Sequence, residues 1–476
     1  MRFSRRPFPR AVVTIAFAAL VVSAGAGAML RLPPGGGSSP TGGTAAGTGD
    51  PTFVLTGAGN GHGVGLSQYG AFAQAKAGRN AADILAFYFP GTQLTHKAFG
   101  KLRVLVVPSA KSLAISSTAP YMVKDGVEQT HDLAAGRVTL GPDLQVPVAG
   151  VPTSLTGPLM FTPATGEVIS IGNRSYRGEI EVTSNGSSLQ AVDVVGLEAY
   201  VRGVVPGEMP STWPAAALQA QAIAARSYAL ATLVKGKAWD LYADGRSQQY
   251  LGAGAETPET TSAVKATSGN VLFYGGTVAT TFYSSSSGGR TQSGFDAFGL
   301  DVPYLPSRDD PWDAHSPFHT WEPRSYTGAQ LAKTLGLAAP ALDVSARFSQ
   351  SGRVVALSII ATDGSSLSVA GTEARKRLVL RSTAFHLATL RFLTTPSPTS
   401  PGVAVRLTGI ARDAERPMLE RLAPTRRWVP VVRRLQVEAA GTFAAVVHPA
   451  QTTTYRLSAS GIAGPALTIP VVGTQP

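Results

Sequence analysis

From Pro214 to Lys235 the chain reads PAAALQAQAIAARSYALATLVK, a run that suits a helix and little else. Leu218, Ala222, Ala225, Ala229 and Thr232/Leu233 recur at helical spacing and form one apolar stripe. Pro214 fits a first helical position, Ser211 or Thr212 can cap it, and Gly236 ends it. The stripe is mostly alanine, so whatever packs on it approaches the helix backbone closely. Alternating segments flank this helix. "RVLVVP" (103–108) reads as a strand, and "YRGEIEVTS" (176–184) turns through Asn185–Gly186 into "LQAVDVV" (189–195). "NVLFY" (270–274) turns through Gly275–Gly276 into "TVATTFYSS" (277–285). The expected fold class is α+β, antiparallel strands around an Ala-rich helix.

Other parts of the 476-residue chain separate by composition. Arg2, Arg5, Arg6 and Arg10 precede an uncharged apolar run from Ala11 to Leu30, with small residues at Ala24, Ala26 and Ala28. Residues 1–30 are therefore expected to be a signal peptide or signal-anchor, and 31–52 a Gly/Pro/Ser-rich tether. This places the protein outside the cytoplasm, secreted or membrane-anchored. Residues 53–391 form the main region, 392–402 a Pro/Ser/Thr linker ("TTPSPTSPG", 394–402), and 403–476 a small β-sandwich-like accessory module. The absence of cysteine excludes disulfides and thiolate chemistry. Net charge is +12, and +8 without residues 1–28, which hold four arginines and no acid. Behind an export leader such a balance points to anionic wall polymers or lipid headgroups, not nucleic acid.

Few segments carry chemistry. Glu208 is expected in a tight Gly207–Glu208–Met209–Pro210 turn immediately before the helix, among Val204, Val205, Met209, Pro210 and Trp213. Apolar surroundings favour a protonated acid and a helix N-terminus favours the carboxylate, so its role depends on where the side chain points. On the helix, Gln219 and Arg226 share one face and Gln221 and Tyr228 another. Such pairs either aim at a ligand or lock helix to sheet. His62 lies among glycines that let a backbone approach closely. Asp309, Asp310, Asp313, His315 and His319 cluster, but Pro311 and Pro317 oppose the helix that a His-x-x-x-His metal site needs, so no metal is expected.

"YVRGVVPGEMPSTWPAAALQAQAIAARSYAL" (200–230) resembles the signature of the stage II sporulation protein D / amidase enhancer (SpoIID/LytB) family. "DGRSQQYLG" (244–252), "YSSSSGGRTQ" (283–292), "GNGHGVGLSQYGAFAQAKAG" (59–78) and "RLVLRSTAF" (377–385) are similar to further elements of that family, and the signature core covers about 175–300. The resemblance implies Glu208 as general acid/base. It implies Gln221, Arg226, Asp244, Gln248 and Tyr250 as cleft residues, and Ser286, Gly288, Gly289 and His62 as glycan-binding. This chain departs from the family at Gln219, where Lys is usual, and in carrying GHGVG N-terminal instead of C-terminal. If residues 59–92 and 370–390 close one domain, they must pack together. A single Glu suits a lytic transglycosylase, whose one acid protonates the glycosidic oxygen and then deprotonates the muramic 6-hydroxyl. The implied substrate is peptidoglycan glycan strands poor in stem peptides, with no cofactor. Two alternatives stay open: ordinary hydrolysis with Asp244 as second carboxylate, and a non-catalytic wall-binding enhancer of an N-acetylmuramoyl-L-alanine amidase.

Overall fold

The computed structural model describes residues 50–473; the expected leader and nearly all of the tether lie outside the described residues. The described residues are mixed α+β, with eight α-helices and predominantly antiparallel sheets. None of these helices is long and apolar enough to cross a membrane. They divide into two compact units, 94–280 and 50–93 with 281–473, so the division at 280/281 runs through the expected signature core.

The unit 94–280 is built on a seven-stranded sheet. Its middle strands are Lys101–Ala110, Leu189–Gly196 and Glu179–Ser184. The hairpin 179–196 closes because Asn185 Oδ1 accepts from the Ser187 and Ser188 amides at 3.0 and 2.8 Å, making an Asx turn that sets Ser184 opposite Leu189. Beyond Gly196 the chain enters a helix, Leu197–Glu208, directly. Glu208 is thus the last residue of a helix, not part of a turn leading into one. Gly203, Pro206 and Gly207 obscure this element, since all are poor helix formers. Its buried face is nonetheless regular: Leu197, Tyr200, Val201, Val204 and Val205 recur at helical spacing. Gly203 is required, because a Cβ there would overlap the Tyr250 ring.

The alanine helix spans Ala215–Ala231. Pro214 is its N-cap, and neither Ser211 nor Thr212 supplies a side-chain cap. It stops four residues before Lys235, where Thr232 Oγ1 donates to Tyr228 O at 2.7 Å. Leu218, Ala222, Ala225 and Ala229 are buried, as are Gln221, Arg226 and Ser227 on other faces. Leu233, assigned to the stripe, is exposed. The second expected hairpin is short: it pairs only Phe273 with Val278 and Tyr274 with Thr277.

In the other unit, Thr52–Gly57 runs in the middle of a five-stranded sheet, between Arg324–Thr327 and Phe385–Phe392. Its side chains alternate between two cores. Phe53 and Leu55 join Leu331, Leu357 and Leu387, whereas Val54 joins Leu390, Phe392, Leu407, Phe443 and Leu457. The sheet does not stop at the linker, because Phe385–Phe392 pairs with Val405–Arg412, which pairs with Thr442–Val447. A four-stranded sheet containing Met418–Leu422 and Thr453–Ala459 contributes to the second core. Residues 403–473 are therefore continuous with the main region, not an appended module. Ending the chain at Thr394 removes partners of Leu390 and Phe392, each side chain worth about 1.5–3 kcal/mol when buried. Scanning calorimetry should show the loss of one cooperative transition; an unchanged profile would restore the view of a dispensable module.

Candidate functional site around Glu208

Residues 248–251 are fastened one after another, Gln248, Gln249 and Leu251 to the helix that ends at Glu208 and Tyr250 to the strand before it. Gln248 Nε2 donates to Ala225 O at 3.2 Å and to the Tyr200 hydroxyl at 3.3 Å. The Gln249 amide donates to Glu208 Oε1 at 3.1 Å, and the Tyr250 hydroxyl donates to Asp193 Oδ2 at 2.6 Å. The Leu251 amide donates to Gly203 O at 2.9 Å. Glu208 itself is half-buried at the carbonyl pole of its helix, where the helix dipole disfavours an anion, opposite to its effect at an N-terminus. Burial, together with the charge of Glu208, pushes the Tyr228 phenol up to about 12 and raises that of Tyr200 further. Both phenols keep their protons at neutral pH and remain hydrogen-bond donors.

Arg226 is fully buried, and its N–H groups turn inward. Nε and Nη2 grip Glu198 at 2.9 and 2.8 Å, Nη1 reaches Ala222 O and Asn270 O, and Nη2 also reaches Val264 O. A fork–fork pair of this kind is among the strongest polar contacts available. It ties the helix of Glu208 to the alanine helix and to the strand at Asn270. Arg226 is thus not presented to a cleft. Gln221, Gln248 and Tyr250 are likewise almost wholly buried. Asp244 is exposed but tied to its own loop, accepting from Arg246 Nε and Nη2 at 2.9 and 2.7 Å, and this pairing holds its carboxyl below the usual range.

In the other unit, Ser286, Gly288 and His62 lie on two loops joined by backbone hydrogen bonds. The Asn60 and Ser286 amides each donate to the other's carbonyl, and Gly63 N donates to Ser284 Oγ at 3.1 Å. Beneath them is Asp313, fully buried. It accepts from Ser67 Oγ (3.0 Å), Ser286 Oγ (2.9 Å), Ser287 N (2.9 Å) and Gly288 N (3.0 Å), with His319 Nδ1 at 3.2 Å. Asp310 takes Ser287 Oγ and Tyr88 Oη. The aspartates weighed as metal ligands are thus committed to the serine loop, and Pro311–His315 makes a 3-10 turn. Among the described residues no His/Asp/Glu group is arranged to hold a metal. His62 Nδ1 accepts from Val64 N at 3.0 Å, and burial, with Arg353 and Arg375 nearby, pushes its pKa down to about 3. Its imidazole is neutral. The same loop meets the segment 381–384: Gly61 N donates to Arg381 O at 3.0 Å, Ala58 N to Ala384 O at 2.8 Å, and Ser382 Oγ to Ala58 O at 2.6 Å.

Residues 185–274, the stretch holding Glu208, Arg226 and Gln249, match the family described as stage II sporulation protein (SpoIID). That segment is of the SpoIID/LytB type. It is 37% identical over 113 residues to the amidase enhancer of Bacillus subtilis, covering 24% of this chain and 15% of that protein. It is 32% identical over 165 residues to stage II sporulation protein D of Bacillus subtilis, covering 31% and 48%. An uncharacterized protein of Brachyspira hyodysenteriae is 33% identical over 144 residues, covering 30% and 39%. The chain thus spans less than half the length of each of these relatives.

The candidate residues fall into two groups: Glu208, Gln221, Arg226, Asp244, Gln248 and Tyr250 in one unit, and His62, Ser286, Gly288 and Gly289 in the other. Sequence reasoning missed Glu198, Gln249, Asp193 and Arg353. Asp193 had a visible signal, a lone acid inside the apolar strand LQAVDVV. Burial pushes its carboxyl up to about 7 from 3.8. The folded form therefore holds an extra proton between those limits; the stability that Asp193 contributes is full below the lower limit and lost as pH rises through the upper one. Asp193→Asn keeps an acceptor for Tyr250 and removes the titration. Melting temperatures taken from pH 5 to 8 should fall for the wild type and flatten for the variant; parallel curves would discount the shift.

Proposed function

We propose that this protein acts outside the cytoplasm on the cell wall, cleaving peptidoglycan glycan strands poor in stem peptides as a lytic transglycosylase with Glu208 as its single acid/base. The observation that carries the reading is the placement of Glu208: a half-buried carboxyl at a helix end, held by the Gln249 amide, within the segment that matches the family. In the proposed first step Glu208 gives its proton to the glycosidic oxygen as the bond from C1 of the muramic residue breaks. In the second, the carboxylate takes the proton of the muramic 6-hydroxyl as that oxygen closes on C1. The proton returns to Glu208, a 1,6-anhydro ring forms, and neither water nor a second carboxylate is consumed. Tyr200 and Tyr228, kept protonated, supply hydrogen bonds that steady the charge. We assign Arg226, Gln221, Gln248 and Tyr250 to holding this geometry, and Gly288, Gly289 and His62 to the glycan-binding loop surface, which Ser286 anchors from beneath through Asp313.

A second reading has support in the resemblance to the Bacillus subtilis amidase enhancer: a wall-binding protein that stimulates an amidase without cleaving anything itself. Product analysis on purified, stem-peptide-free glycan strands separates the two. Anhydro-muramic ends support the transglycosylase, and new reducing ends indicate hydrolysis. No product, with acceleration of an added N-acetylmuramoyl-L-alanine amidase, transfers the conclusion to the enhancer.

A further inference from the structure

The largest unassigned charge feature lies far along the chain from Glu208. Residues 403–476 hold nine arginines, no lysine and four carboxylates, a net +5 out of the chain's +12. Five of them, Arg421, Arg426, Arg427, Arg433 and Arg434, fall within 421–434, where there is no acid. All five are exposed. None takes part in an ion pair among the described residues, whereas nearby Arg412 is paired with Asp343 at 2.9 Å and Arg456 with Glu420 at 2.8 Å.

Their placement is linear. Trp428–Val432 is the edge strand of its four-stranded sheet, bonded only to Met418–Leu422. A turn closed by Ala423 N donating to Arg427 O at 2.8 Å puts Arg426 and Arg427 at one end of that strand. Arg433 and Arg434 follow its other end. Five residues at about 3.3 Å each separate the two pairs by about 17 Å. Arg421 stands on the neighbouring strand, opposite Val429. Such a line exceeds the reach of any one small anion. Charges that merely protect a sheet edge from pairing sit within the edge strand; here four of the five lie beyond its ends.

We propose that this hairpin is a docking surface for an extended polyanion with repeating phosphodiester charges. Guanidinium forks match phosphate oxygens two at a time, and a polymer engages both ends of the hairpin together, so weak single contacts multiply. A lipid surface fits less well. The exposed apolar residues between the arginines are Pro430 and Val431, too short to enter acyl chains, and Trp428 is covered by the Arg456 guanidinium at 4.3 Å.

The test is binding of the whole protein to purified poly(glycerol phosphate) across a salt series. Arg426→Ser, Arg427→Ser, Arg433→Ser and Arg434→Ser combined should weaken binding at least ~10-fold and flatten its salt dependence, at unchanged melting temperature. Lys76→Ser, Arg324→Ser, Lys333→Ser and Lys376→Ser combined remove the same charge from other exposed positions and should leave binding near wild type. Equal losses in both variants would reduce the effect to net charge and overturn the proposal. So would unchanged binding by the hairpin variant, or hairpin-dependent binding to phosphatidylglycerol vesicles with none to the polymer. None of these outcomes depends on whether Glu208 cleaves glycan.

Discussion

Glu208→Gln should lower glycan cleavage by ~100–10,000-fold, the range that general acid–base catalysis contributes. The substitution keeps an oxygen that accepts from the Gln249 amide, so the contact at 3.1 Å survives while ionisation is lost. Melting temperature and glycan binding should stay at wild-type values. Glu208→Asp should also be poor, because the shorter side chain withdraws the carboxyl from the glycosidic oxygen while the backbone stays in place. Asp244→Asn is the control. Asp244 is exposed and chelated by Arg246, so its loss should leave turnover within a few-fold of wild type. An equally inactive Asp244→Asn, with reducing ends from the wild type, would move the chemistry to two-carboxylate hydrolysis. A Glu208→Gln protein that stimulates an amidase as well as an inactive wild type would make the glutamate structural.

Asp313→Ala should be the most destabilising single change. Its carboxylate gathers donors from Ser67, Ser286, Ser287 and Gly288 in a fully buried place, and alanine leaves them without an acceptor. Breaking a buried charged network of this kind costs about 3–5 kcal/mol. For a unit of this size that is a fall of about 6–20 °C in melting temperature. Asp313→Asn keeps one acceptor oxygen and should fall between. Calorimetry decides it: a drop below about 1 kcal/mol for the alanine variant would mean that the loop finds other partners at little cost.

How far sequence reached depended on how local the determining physics is. The hairpin 179–196 was legible because alternation and an Asn-Gly turn are read within a few residues. The helix Leu197–Glu208 was not, because Gly203 and Pro206 weaken a pattern that packing against Tyr250 restores. Glu208 was found through resemblance, but its place at the end of one helix, not before another, needed the fold. Arg226 was singled out as a cleft residue, and its partner Glu198 was invisible because 28 residues separate them. The histidine–aspartate cluster was noticed and weighed as a metal site, although its carboxylates serve the serine loop. The linker at 392–402 suggested a boundary by composition, and strand pairing across it erased that boundary.

The position of Thr52–Gly57 has a kinetic meaning. That strand meets Phe385–Phe392 only after more than three hundred intervening residues have been made, and unit 94–280 lies wholly inside that interval. A chain delivered N-terminus first therefore presents Thr52–Gly57 before either of its partner strands, while the inserted unit already has every strand of its own seven-stranded sheet. Closing so long a loop is entropically slow, although doubling its length adds only about 0.6 kcal/mol. The unit 50–93 with 281–473 is thus the last to assemble. Until it does, Phe53, Val54 and Leu55 are an unpaired apolar strand, the point at which this chain is most exposed to misassembly and to proteases.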